Sequence, residues 1–168
     1  MRYLLLMRHA NAAFPDPGMK DFDRPLTDLG WSEARATAQD LHEIGILPDR
    51  VYCSTARRAR ETLDAVTPLL TLAPDAIVSV DRLYAGGPSD YVDIAARDDA
   101  GDVIMVIGHN PMIEDAALAL SVDGDPASIS ALRDGFPTAG IAVIRLDDGD
   151  GGSVDGFLER MIRTRHSH

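Results

Sequence analysis

The stretch YLLLMRH, residues 3–9, decides how the rest of this sequence is interpreted. Its short, continuous apolar run, Tyr3–Met7, is typical of a strand that is buried on both faces. The run stops abruptly at Arg8 and His9, so a guanidinium and an imidazole follow directly from the end of the strand. Strands of this kind occur in parallel sheets that carry helices on each side. The stretch therefore predicts a central strand of such a sheet.

The remainder of the chain alternates between helical and extended patterns. Apolar residues at helical spacing predict four helices, over residues 27–45, 59–70, 89–96 and 112–122. Short apolar runs predict six strands, at residues 3–7, 50–53, 76–80, 103–107, 140–146 and 153–158. The run DDGDGG (147–152) is predicted to be the turn between the last two strands. This alternation predicts an α/β fold, a three-layer αβα sandwich around a mostly parallel central sheet.

Length and composition bound the organisation of the protein. The chain has 168 residues without an internal linker or repeat, so we expect a single domain over residues 1–162 and a flexible tail over 163–168. The lone cysteine, Cys53, excludes an internal disulfide. The first apolar run ends at Arg8, which is too soon for a signal peptide, and no run approaches the length of a membrane span. We therefore expect a cytoplasmic protein.

The protein is strongly acidic, with 27 Asp and Glu against 16 Lys and Arg and a net charge of −11. Nucleic acids and anionic membranes bind basic surfaces, so neither is expected as a partner. A phosphate group would need a local basic pocket within this acidic surface. The same charge would repel an acidic protein partner at long range unless the rim of the pocket is basic.

Candidate functional residues follow three of the predicted strands. In a parallel sheet, ligands bind beyond the carboxyl ends of the strands. Arg8 and His9 follow the first strand, Ser54 follows the second, and Gly108 and His109 follow the strand VIMVI (103–107). These side chains are therefore expected at one edge of the sheet.

The segment STARRARET (54–62) begins a helix after the second strand. Free N–H groups and the dipole favour anions at a helix N-terminus and disfavour cations there. Arg57, Arg58 and Arg60 nevertheless crowd this first turn, which indicates a bound anion. The alternative is that these arginines are solvated or pair with the abundant acidic side chains.

Two further motifs start helices. In GHNP (108–111), the glycine permits a tight turn and the proline suits the first helical position, so that His109 lies beside a helix N-terminus. A cationic histidine is disfavoured there, which indicates an anion or a specific hydrogen bond. In DRPLTDLG (23–30), Thr27 is a good N-cap, and the extended Arg24-Pro25 step would turn Arg24 toward the end of the first strand.

Together these motifs resemble the histidine phosphatase superfamily, which has the phosphoglycerate-mutase-like fold. The resemblance rests on four motifs in order, namely RH at 8–9, RPLTxxG at 24–30, SxxxRxxxT at 54–62 and GHNP at 108–111. It spans about residues 2–146 and is most similar to the compact phosphohistidine phosphatase (SixA-like) branch. One departure is Ala10, where the family usually has glycine.

The resemblance implies a phosphatase that passes through a phosphohistidine on His9. It assigns catalytic roles to Arg8, Arg58 and His109, which would hold the phosphoryl oxygens. Further candidates for binding the phosphate are Arg24 and Asn11. The second ring nitrogen of His9 needs a hydrogen-bond acceptor, which the sequence does not identify. Neither a metal ion nor a cofactor is expected.

The general acid is the gap in the pattern. Larger members of the family place a glutamate between the second arginine and the second histidine, whereas this chain has only Glu61, in the first turn of a helix. Asp81 and Asp90 are the substitutes that the sequence offers. An alkoxide leaving group needs a proton donor, but a phosphorylated imidazole leaves far more readily. The gap therefore favours an N–P substrate, phosphohistidine on a protein, or an activated phosphoester.

Two alternatives stay open from the sequence. One is a phosphatase or mutase that acts on small sugar or nucleotide phosphates, although a short chain has little room for a mutase's second recognition region. The other is a module of the same fold that binds phosphate without catalysis. The expected partner is accordingly a phosphorylated protein or a small phosphorylated substrate.

Overall fold

The computed structural model describes residues 2–97, 101–148 and 154–163. The strands in this part of the chain are β1 (Arg2–Arg8), β2 (Arg50–Ser54), β3 (Ile77–Val80), β4 (Val103–Gly108), β5 (Ser121–Gly124), β6 (Ile141–Asp148) and β7 (Val154–Ile162). The α-helices are α1 (Asp28–Ile44), α2 (Arg57–Leu70), α3 (Arg82–Ala85), α4 (Pro88–Ala95), α5 (Met112–Leu120) and α6 (Pro126–Asp134). Short 3₁₀ helices occupy Asp21–Asp23 and Pro74–Ala76. None of these helices combines the length and apolar character that crossing a bilayer would require.

The strands form one sheet with the order β3-β2-β4-β1-β6-β7-β5. The neighbours β3, β2, β4 and β1 are parallel, whereas β6 runs antiparallel to both β1 and β7. The register places Arg8 opposite Gly108. The residues that follow, His9 and His109, therefore leave the same edge of the sheet from adjacent strands.

The two faces of the sheet carry separate apolar cores. Along β1, Leu4 and Leu6 face one side, in the core that includes α4, α5 and α6. Leu5 and Met7 face the other side, in the core that includes α1 and α2. All four side chains are fully buried. The predicted three-layer αβα sandwich with a mostly parallel centre is confirmed.

Helix α1 begins and ends at the residues that the sequence indicates. The Thr27 side chain accepts a hydrogen bond from the Gly30 backbone N–H at 3.0 Å, and Gly45 ends the helix in the left-handed region, with φ +83°. The first turn packs directly on the chain that leaves β1. A Cβ at position 30 would collide with the backbone carbonyl of Asn11. Only glycine fits this contact without a shift of the backbone.

Some elements differ from the sequence prediction. The predicted helix over 112–122 ends at Leu120, because the chain turns there into β5, a four-residue edge strand beside β7. Helix α6 was missed, although Asp125 caps it and Pro126 opens it. The closing pair β6 and β7 is confirmed. Of the predicted turn and tail, residues 149–153 and 164–168 lie outside the described residues.

The contact at Gly30 generates a prediction about stability. Substitution Gly30→Ala should destabilise the protein by about 2 kcal/mol, because overpacking against a backbone carbonyl cannot be relieved by rotation of a side chain. For a chain of this length the melting temperature should fall by about 4–8 °C. Gly87→Ala is the control, since a Cβ at position 87 meets no atom within 4 Å. Equal melting temperatures for the two variants would contradict the packing argument.

Candidate active site

His9 lies just beyond the end of β1 and is only 9% exposed. Its Nδ1 is 2.7 Å from the carbonyl oxygen of Ala10. A carbonyl oxygen can only accept a hydrogen bond, so Nδ1 must be the donor. The network therefore assigns the proton to Nδ1 and leaves the Nε2 lone pair available. The acceptor that the sequence did not identify is thus the backbone of the next residue. Ala10 lies outside the left-handed region, so its backbone conformation does not require the glycine usual in the resembled family.

Arg58 is the arginine of the α2 first turn that reaches His9. It is 7% exposed, and its Nε donates to His9 Nε2 at 3.3 Å. Arg57 instead pairs with Glu61 at 3.5 Å, and the Nε of Arg60 donates to the carbonyl of Thr55. The crowded helix start therefore divides into one buried arginine at the site and two exposed ones.

His109 lies beside His9, with ring centroids 5.2 Å apart. Its Nε2 is 2.7 Å from the hydroxyl of Ser54, which also accepts the backbone N–H of Ala56. Among the described residues the hydroxyl proton has no acceptor other than His109 Nε2, so the network assigns the proton of His109 to Nδ1. That Nδ1 is buried and has no hydrogen-bond partner among the described residues. It is a free donor for a substrate oxygen.

Arg8 approaches from the β1 end and is anchored to the loop before β6. Its Nη1 donates to the carbonyl of Phe136 at 2.8 Å, as does the Asn110 side chain at 3.3 Å, while Arg8 Nε is buried without a partner in the described chain. Burial lowers the pKa of the Arg8 guanidinium, and the carboxylates of Glu114 and Glu33 act in the opposite direction. Arg8 thus retains donors that are not committed to the protein.

Arg24 lies near the site, whereas Asn11 makes hydrogen bonds within the scaffold. Arg24 Nε donates to the carbonyl of Ala13 at 2.8 Å, and its charge contributes to lowering the pKa of His9. The described hydrogen bonds of Asn11 run to Thr27 and Glu33 and join the loop to α1. A phosphate-binding role for Asn11 therefore stays a prediction.

The two aspartates that the sequence offers as general acids make contacts elsewhere than at the two histidines. Asp90 Oδ2 accepts the backbone N–H of Gly87 at 2.9 Å and caps α4. Its other carboxylate oxygen lies 3.8 Å from Arg82. Asp81 is exposed at the start of α3. The described contacts of these two side chains include neither His9 nor His109.

The carboxylate that does reach the site is Asp21, which the sequence analysis missed. Its oxygens accept from Arg24 Nη1 at 3.0 Å, from Arg58 Nη2 at 3.1 Å and from the Tyr84 hydroxyl at 2.8 Å. Burial acts to raise the pKa of Asp21, but the hydrogen bonds from Tyr84, Arg24 and Arg58 outweigh it and lower the value to about 2. Asp21 is therefore ionised at neutral pH. Its spacing of three residues from Arg24 was the available signal.

Both site histidines are neutral at physiological pH. Burial lowers the pKa of His9 to about 4; the Ala10 carbonyl acts in the opposite direction, and Arg58 and Arg8 add to the lowering. Burial, followed by the neighbouring His9 and Arg58, lowers the pKa of His109 to about 3. A neutral imidazole with a free Nε2 and surrounded by guanidinium groups can act as a nucleophile toward an anion.

Comparison with known proteins shows which family and which solved structures this chain resembles. The model of the histidine phosphatase superfamily (branch 1) matches residues 4–80. A protein of Mycobacterium tuberculosis, Rv1276c, is 39% identical over 145 residues, which cover 83% of this chain and 87% of that protein. The crystal structure of SixA from Agrobacterium tumefaciens is 34% identical, with a TM-score of 0.76 and coverage of 85% of this chain and 90% of that one. The protein histidine phosphatase SixA complexed with tungstate is 25% identical, with a TM-score of 0.75 and coverage of 95% and 96%.

The lowered pKa of His9 predicts the pH range in which its ring becomes protonated. The imidazole should stay neutral as the pH falls from about 7.5 to about 5.5, where an ordinary histidine with a pKa of about 6.5 is mostly protonated. Its protonation should begin only near pH 5, because the folded-state pKa is about 4. NMR titration of the free protein measures this, with the His9 signals assigned by their loss in His9→Ala. A midpoint near the ordinary value would contradict the burial argument.

The Ser54 hydroxyl should be needed to present the His109 donor. Ser54→Ala removes the hydrogen bond to Nε2, so His109 is no longer restricted to the tautomer with its proton on Nδ1. We expect turnover of p-nitrophenyl phosphate to fall about tenfold, the equivalent of one hydrogen bond. Thr55→Ala is the matched control, because it removes a neighbouring hydroxyl that has no described contact with either histidine. Comparable turnover in the two variants, with unchanged melting temperatures, would show that Ser54 does not orient His109.

Proposed function

The chain belongs to the histidine phosphatase superfamily, and on this premise we propose that it hydrolyses protein phosphohistidine through a covalent phosphohistidine intermediate on His9. One observation carries the proposal: the hydrogen bond from His9 Nδ1 to the Ala10 carbonyl, which leaves a neutral Nε2 directed at Arg58. This arrangement combines a nucleophile and a cationic group for the phosphoryl oxygens at one point. The likeness to the protein histidine phosphatase SixA supports the choice of substrate.

In the proposed reaction, a phosphoryl oxygen takes over the Nε–H of Arg58 from His9. Nε2 of His9 then attacks phosphorus and an N–P bond forms on His9, while the bond from phosphorus to the leaving nitrogen breaks and its electron pair stays on that nitrogen. A substrate ring that carries a proton on its other nitrogen leaves as neutral imidazole. The Ala10 carbonyl stabilises the positive charge that develops on the ring through Nδ1–H. Arg8 and the free Nδ1–H of His109 hold the remaining oxygens. Water subsequently attacks phosphorus, which releases orthophosphate and restores neutral His9.

The arrangement of carboxylates supports an N–P substrate. Asp21 is held ionised by the arginines and by Tyr84, so it cannot donate a proton at neutral pH. Asp81 and Asp90 have no described contact with the two histidines. An alkoxide would leave poorly without a donor, since general acid catalysis contributes about 10²–10⁴-fold. A phosphorylated imidazole does not depend on such a donor to the same degree.

The rim of the site supports a protein partner despite the net charge of −11. Helices α2 and α3 follow β2 and β3 at the carboxyl edge of the sheet, and they start with the exposed arginines Arg57, Arg60 and Arg82. Phe14, beside the carbonyl that holds Arg24, is 90% exposed. An exposed aromatic ring next to the loop that holds Arg24 is typical of protein contact surfaces, where aromatic residues and arginine are enriched.

The proposal predicts a trapped phosphoenzyme and a substrate preference. A ³²P-labelled phosphohistidine peptide should label the wild type and the His42→Ala control, whose substitution lies on the exposed face of α1, but not His9→Ala. In a panel with p-nitrophenyl phosphate, glycerol phosphate and sugar phosphates, kcat/KM for the phosphohistidine peptide should exceed that for alkyl monoesters at least about 100-fold.

Different outcomes of these experiments separate the alternatives. If the wild type remains unlabelled and hydrolyses no member of the panel, the protein binds phosphate without catalysis. If alkyl or sugar phosphates are hydrolysed as fast as the peptide, the substrate is a small phosphomonoester and the argument from the missing general acid is wrong.

A further inference from the structure

We propose that Asp21 is a positioning residue of the phosphate site, which aims the Arg58 guanidinium at His9 and weakens the binding of phosphate anions. The proposal rests on the proposed function, since it concerns the phosphoryl group that the arginines would hold. Four side-chain hydrogen bonds converge on Asp21, from Arg24, from Tyr84 and two from Arg58. An incidental surface aspartate would not collect so many donors from the walls of one site.

The aim of Arg58 follows from how its nitrogens are divided. Nη1 donates to the backbone carbonyl of Asp21 at 2.9 Å, and Nη2 donates to its carboxylate at 3.1 Å. Nε, the third nitrogen of the group, donates to Nε2 of His9 at 3.3 Å. Because a guanidinium is planar and rigid, fixing its Nη edge also fixes the direction of Nε. An arriving phosphoryl oxygen can take the Nε–H while Asp21 keeps the two Nη groups.

Asp21 also offsets part of the positive charge of the site. Arg8, Arg24 and Arg58 all act electrostatically on His9, and the Asp21 carboxylate contacts two of these three cations. A phosphate dianion held by the same arginines would lie close to this carboxylate and would be repelled. Because the Asp21 side chain is 52% exposed, solvent screens part of the repulsion. The expected effect is weaker binding of orthophosphate, the product, and hence easier release.

The segment around Asp21 is held in place by contacts that do not depend on its charge. Phe22 packs edge-on against Tyr84, with ring centroids 5.2 Å apart, and Tyr84 packs in the same manner against His109 at 5.5 Å. Arg24 is also tied to the carbonyl of Ala13. Asp21→Asn keeps the shape of the side chain and one oxygen acceptor, so it removes the charge while the segment stays in place.

Calorimetric titration with orthophosphate tests the charge. Asp21→Asn should bind orthophosphate more tightly than the wild type, by about tenfold for a half-screened charge at this range. Asp23→Asn is the matched control, because it makes the same change in net charge on the same 3₁₀ helix at an exposed position. Unchanged or weaker binding in Asp21→Asn, or equal tightening in both variants, would overturn the electrostatic role.

The aiming role is tested by Asp21→Ala, which has the same charge as Asp21→Asn but no side-chain acceptor for Arg58. It should bind orthophosphate about tenfold more weakly than Asp21→Asn, by the loss of a charge-assisted hydrogen bond. Equal affinities would show that the Asp21 side chain does not aim Arg58 and would overturn this role. Calorimetry needs no turnover, so these results stand apart from the substrate panel: a protein that fails to hydrolyse phosphohistidine would still give the binding order of the variants.

Discussion

The parallel pairing between β1 and β4 is the constraint on which the site depends. Because Arg8 lies opposite Gly108 in this register, His9 and His109 emerge side by side, with ring centroids 5.2 Å apart. The register is held by the apolar interior of the sheet, where Leu5 and its partner Met105 are fully buried. A slip of one residue would turn the side chains of β1 to the opposite faces and separate the two histidines. Core packing and site geometry therefore have the same cause.

The position at the strand ends also decides the protonation of the histidines. Both rings are nearly buried beside guanidinium groups, so a second proton on either ring would create a cation that lacks solvation and meets positive charge. The hydrogen bonds from His9 Nδ1 to Ala10 and from Ser54 to His109 Nε2 then select one tautomer for each neutral ring. One ring presents a lone pair and the other presents an N–H. A nucleophile and a donor follow from two copies of the same side chain.

Features that follow from short-range sequence patterns could be predicted from the sequence. Features that depend on a loop folding back against distant residues could not. The motifs that contain His9, Arg58 and His109 follow strands or begin helices, where periodicity and capping residues mark the position. Asp21 lies between β1 and α1 in a segment without periodicity. Of its contacts only Arg24 is close in sequence, and the other two, Arg58 and Tyr84, come from distant parts of the chain. The acceptor at Ala10 is a backbone carbonyl, which has no residue signature. Strand β5 was missed because it is short and its partner, β7, lies far along the chain.

Arginines that bind a phosphoryl group also lower the pKa of a carboxyl group beside them, so that it cannot serve as a proton donor at neutral pH. At Asp21, burial acts to raise the pKa, yet the hydrogen bonds from Tyr84, Arg24 and Arg58 lower it to about 2. A general acid must be protonated at the working pH, so it has to lie apart from such cations. A compact site with three arginines around its nucleophile therefore suits a leaving group that departs with little proton donation. Imidazole is such a leaving group and an alkoxide is not, which agrees with the proposed N–P substrate.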